Sequence, residues 1–102
     1  MHTDSKKETS VKEKMPKMGS RFKYDILVFL QNAERELLVK NTAYSQGILE
    51  DVIKELDKSL EIQSQEQVVI TPILREAVKA LLVGKPVVTH SCIRLAITEL
   101  TE

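Results

Sequence analysis

From Ser20 onward, apolar residues recur at helical spacing, and three polar or turn-forming stretches interrupt them. Ile26, Leu30, Ala33 and Leu37 mark one face of a first helix. Ser20 is its expected cap, and it runs to about Lys40 with neither Pro nor Gly inside. Phe22 and Phe29 flank this face. Leu27 and Leu38 lie about 100° round the helix, with Val28 and Val39 further still. That apolar arc is wider than one buried stripe requires, as suits a central core helix or one that also meets a partner.

Residues 41–45 link to a second helix, expected over Ser45–Gln63, with Leu49, Val52, Ile53, Leu56 and Leu60 on one side. Glu50, Asp51, Lys54, Glu55, Asp57, Lys58 and Glu61 occupy the other, and Glu50–Lys54 has the favourable i,i+4 order. Gly47 weakens the first turn of this helix. Gln63–Gln67 reads as a polar linker, and Thr71-Pro72 as the capped start of a third helix. Leu74, Ala77, Val78 and Leu81 form its buried face, and Gly84 with Pro86 ends it. A last helix is expected from Thr89 or Ser91, with Ile93, Ala96, Ile97 and Leu100 inward. The predicted class is an all-α, four-helix bundle-like domain over residues 20–102. An α+β variant would pair the β-branched runs Val68–Ile70 and Val87–Thr89 as two short strands.

Composition changes this picture at the N-terminus. The 102 residues carry 15 basic and 15 acidic side chains, a formal charge of zero. Residues 1–24 nevertheless hold seven basic and three acidic residues, while residues 25–102 hold eight and twelve. Apolar residues are sparse before Ser20, so residues 1–19 are predicted to be a disordered basic tail. Nucleic-acid contacts from Lys12, Lys14, Lys17 and Arg21 would follow from that charge, although Glu8 and Glu13 interrupt it. No apolar run approaches the ~18 residues of a membrane span, and no signal-peptide core stands near the start. The expected location is cytoplasmic.

Candidate chemistry is thin. A lone Cys92 rules out an intramolecular disulfide framework and a Cys-rich zinc module. His90 and Cys92 are two residues apart, which on a helix turns them about 200° from each other. Cys92, beside Ile93 and Ala96, reads as a partly buried apolar position. His2 and His90 are the only imidazoles, and no HExxH, CxxC or calcium-loop pattern is present. Gly84-Lys85 lacks the spacing of a phosphate-binding loop. The expectation is a non-enzymatic protein with no catalytic, cofactor or metal residues.

Binding through surface remains. Leu27, Val28, Leu38, Val39, Leu82 and Leu95 lie off their helices' main faces and form the candidate interface for a protein partner or for self-association. A helix-turn-helix DNA reader is an alternative, with His90, Ser91, Arg94, Thr98 and Thr101 on the recognition helix. Arg94 alone among these is permanently basic, whereas groove-reading helices carry more Arg, Lys, Asn or Gln. The order of Ile48–Leu60, Pro72–Leu82 and Ile93–Leu100 resembles helices two to four of the small bacteriocin immunity proteins of Gram-positive bacteria. That resemblance rests on length and helix order, and it implies a cytoplasmic antiparallel four-helix bundle. It also implies binding of a peptide–receptor complex at the inner face of the membrane. The basic overall charge of that family is missing here.

Overall fold

Each of the four apolar stripes becomes a helix in the computed structural model, which describes residues 15–58 and 63–102. The helices are α1 (Ser20–Leu38), α2 (Thr42–Lys58), α3 (Gln65–Leu82) and α4 (Pro86–Thr101). Among the described residues the domain is all-α, with four helices. Ile26, Leu30, Ala33 and Leu37 of α1 are buried, as are Leu49, Val52 and Leu56 of α2. Ile70, Leu74 and Ala77 of α3 meet Ile93, Ala96, Ile97 and Leu100 of α4 in the same core. Each fully buried Leu or Ile contributes about 1.5–3 kcal/mol through water exclusion.

Several boundaries differ from the sequence expectation. Gly19, not Ser20, is the N-cap of α1, and it makes no side-chain cap bond. Helix α2 begins at Thr42, so Ala43 and Tyr44 are helical and not a linker. Gln65–Ile70, the end of the expected linker and the run that the α+β variant would make a strand, forms the first turns of α3. Ser64 caps that helix: its Oγ accepts from the Gln67 N–H at 3.1 Å. Gln67 Oε1 accepts from the Ser64 N–H at 2.9 Å, completing a capping box. Two donors satisfied at once start α3 ahead of Val68–Ile70, and Pro72 is carried inside the helix. Val87–Thr89 likewise belongs to α4, which Pro86 opens at its first position. The two-stranded variant is therefore corrected: both β-branched runs are helical.

The predicted tail divides. Residues 1–14 lie outside the described residues, as do 59–62, which include Leu60 and Glu61. Met15–Gly19, assigned to the tail by composition, packs on the start of α3. The Gln65 N–H donates to the Pro16 carbonyl at 2.8 Å, and the buried Met18 enters the core.

Helix α1 packs on α2 and α4, and α3 packs on the same two. Glu34 stands opposite His90 and Arg94, and Asp57 opposite Arg75, so neighbouring helices run antiparallel. Both hairpin turns therefore lie at one end of the bundle.

The two hairpins repeat one another, each residue having its counterpart 44 positions later. Ile26, Leu30 and Ala33 recur as Ile70, Leu74 and Ala77, and Ile53 and Leu56 as Ile97 and Leu100. Leu37-Leu38-Val39 recurs unchanged as Leu81-Leu82-Val83. The turns share their geometry as well. Lys40 (φ 66°) and Gly84 (φ 77°) both adopt the left-handed conformation that ends a helix. Lys40 N donates to Leu37 O and Asn41 N to Glu36 O, as Gly84 N does to Leu81 O and Lys85 N to Ala80 O.

Candidate interaction surfaces

The repeat is not symmetrical on its outer seams. Between α1 and α2 runs an open groove of about 930 Å³. Phe22, Phe29, Tyr44 and Ile48 line it, which gathers three of the chain's four aromatic side chains into one place. Phe22 and Ile48 are half-buried against the core, whereas Phe29 is 47% and Tyr44 60% exposed. Ala43 and Gly47 keep the α2 wall low, and a Cβ added at Gly47 would meet nothing within 4 Å. In the second hairpin the counterparts of Phe22, Phe29, Tyr44 and Gly47 are Glu66, Ile73, Val88 and Ser91. Aromatic character therefore belongs to one seam only. Asp25, Glu36, Asp51 and Glu55 edge the groove against Arg35, Lys54 and Lys58, leaving it weakly acidic.

A second surface lies at the turn end. Leu38 and Leu82 are 63% and 64% exposed, and Val39 and Val83 are both 67% exposed. Val87 is exposed beside them. Three of the predicted interface residues, Leu38, Val39 and Leu82, thus lie exposed at the same end of the bundle. The other three do not join them. Leu27 packs partly against the core, Val28 is half-buried, and Leu95 is exposed further along α4.

A cluster of charged and polar side chains joins α1 to α4. Glu34 Oε2 lies 2.8 Å from His90 Nε2, and Arg94 Nη1 lies 3.4 Å from both Glu34 oxygens. The carboxylate ties both residues of the supposed recognition helix to α1. It also takes His90 away from Cys92. Burial pushes the Cys92 thiol up, and the Glu76 carboxylate adds to that, which favours the protonated thiol over the thiolate. Among the described residues no group of three or more His, Cys, Asp or Glu side chains comes together in a way that could hold a metal.

The predicted nucleic-acid contacts are scattered. Lys12 and Lys14 lie outside the described residues, Lys17 is exposed ahead of α1, and Arg21 pairs loosely with Asp25 at 3.9 Å. Arg94 is engaged by Glu34. Among the described residues no helix is long and apolar enough to cross a membrane.

Sequence reasoning missed the groove because its width depends on how far apart two helices sit. Its one legible sign was the pairing of small Ala43 and Gly47 with neighbouring Tyr44 on the same helix. Compared with known protein families, curated proteins and solved structures, the chain matches none.

Proposed function

We propose that this protein is a non-enzymatic binding module that takes an amphipathic helix of a partner protein into the α1–α2 groove. The observation that supports it is the convergence of Phe22, Phe29 and Tyr44 on a seam that the second hairpin builds without aromatics. Aromatic side chains supply large contact area at low entropic cost and dominate interface energetics. Along α1 the groove runs from Phe22 to Glu36, about 21 Å at the helical rise, or close to four turns. An incoming helix would present apolar anchors at i, i+3 or i+4, and i+7, flanked by basic residues that suit the acidic edge.

Selection of peptides from a random helical library on the full chain tests this. Enriched peptides should carry that spacing, and their affinity should fall about tenfold or more in Gly47→Leu, which fills the groove, and in Tyr44→Ala. Peptides that bind both variants as well as the parent protein, or no enrichment at all, would refute the groove as the binding site.

A further inference from the structure

The repeat preserves something a core does not need. Between the hairpins most surface positions differ, yet Leu38-Val39 and Leu82-Val83 are identical, and each pair points into solvent to the same degree. Both sit at the same end of the bundle, where Val87 enlarges the apolar area.

We propose that this end docks on an anionic lipid surface, with Leu38, Val39, Leu82 and Val83 entering the boundary between headgroups and acyl chains. The charge around the two tips favours this occupant. Arg35 and Lys79 are the basic residues in the last turns of α1 and α3, and Lys40 and Lys85 stand in the turns themselves. The first turns of α2 and α4 hold no acidic residue. Of the nearby carboxylates, Glu36 accepts from Asn41 Nδ2 at 3.0 Å and Glu76 pairs with Lys79 at 3.5 Å, so the four cations outnumber these two acidic groups. A second copy placed end to end would bring these cations face to face, whereas acidic headgroups would neutralise them.

The backbone is prepared for a poorly hydrated surface too. The carbonyls of Arg35, Glu36 and Leu37 accept from Val39, Asn41 and Lys40. Those of Lys79, Ala80 and Leu81 accept from Val83, Lys85 and Gly84. An unsatisfied acceptor is costly to bring against lipid, and the left-handed helix ending satisfies these six within the chain. Two equivalent apolar tips framed by cations make a two-point contact with a flat surface, which is how weak interfacial anchors become stable ones.

Co-sedimentation of the full chain with phosphatidylcholine vesicles, with and without phosphatidylserine, tests the proposal. Binding should require phosphatidylserine and weaken with added salt. Leu38→Ser and Leu82→Ser should each weaken it to a similar extent, and together by about tenfold or more, with helical circular dichroism unchanged. Lys40→Glu with Lys85→Glu should do the same without touching the apolar tips. Failure to sediment with acidic vesicles overturns the proposal, as does sedimentation unaffected by the leucine pair. Concentration-dependent dimers that depend on Leu38 and Leu82, without vesicle binding, would assign the surface to a second copy instead.

Discussion

Thr89 Oγ1 donates a hydrogen bond to the carbonyl oxygen of Ala77 at 3.0 Å, fastening α4 to α3 where both are buried. In the first hairpin Ser45 Oγ does the same to Ala33 at 2.8 Å. Each hydroxyl faces a small alanine, and that lets the helices approach closely enough for the bond to form. Ser45→Ala and Thr89→Val should each lower stability by about 1 kcal/mol, the usual net worth of such a bond. Because the two bonds share no partner, the double variant should lose about the sum. Urea unfolding of the four proteins checks this, and Thr89→Ser, which keeps the hydroxyl, should lose less than Thr89→Val.

The two turns make their own control experiment. Lys40 and Gly84 hold the same left-handed conformation, but only glycine does so without a Cβ clash. Lys40→Gly should therefore stabilise the protein by about 0.5–1 kcal/mol, and Gly84→Ala should destabilise it by a similar amount. Space is not the issue at Gly84, since a Cβ there would meet nothing within 4 Å. Thermal unfolding that moved both variants in one direction would contradict the conformational argument.

How far the sequence announces this fold depends on the residue. The stripe Ile26–Leu30–Ala33–Leu37 predicts the buried face of α1 because helical spacing and burial share one cause, the need to remove apolar surface from water. The start of α3 is the instructive failure. β-branched Val68-Val69-Ile70 and the pair Thr71-Pro72 argue for a later start, yet Ser64-x-x-Gln67 already carries a capping-box signature. Local hydrogen-bond satisfaction won over propensity there. The repeat, too, was open to inspection, since Leu37-Leu38-Val39 and Leu81-Leu82-Val83 stand at a fixed offset. What periodicity could not supply was the difference between the two seams. That depends on how Ala43, Gly47 and the aromatics around them set the spacing of α1 and α2.

Acid stability should depend on Glu66. Burial pushes its carboxyl up, but the N–H of Met18, its own N–H and the Lys23 ammonium together outweigh that and hold it below the ordinary value of 4.5. Met18 N lies 2.8 Å and Lys23 Nζ 3.2 Å from its oxygens. A carboxyl lowered on folding contributes stability that is fully present above its unfolded value and is lost as pH falls through the folded one. Glu66→Gln should thus be less stable than the parent at neutral pH, with the gap closing below about pH 4.5. A gap of constant size from neutral to strongly acid pH would mean that the carboxylate charge is not the source.

Pro72 sets the last expectation. It sits inside α3 with no N–H to give to the carbonyl of Val68, and its ring crowds that same carbonyl. A proline within a helix costs about 3 kcal/mol relative to alanine. Part of that is offset, because proline also restricts the unfolded chain. Position matters as well: Pro72 is exposed and its α1 counterpart is Val28, so the helix path there does not require proline. Pro72→Ala should therefore stabilise the domain by about 1–3 kcal/mol, and the gain should reside in α3. Hydrogen exchange can localise it, with amides from Val69 to Glu76 slowing more than those of α1. If they did not slow, or if the unfolding midpoint stayed where it was, the capping box and the packing of Ile70 and Leu74 would already hold α3 at full strength.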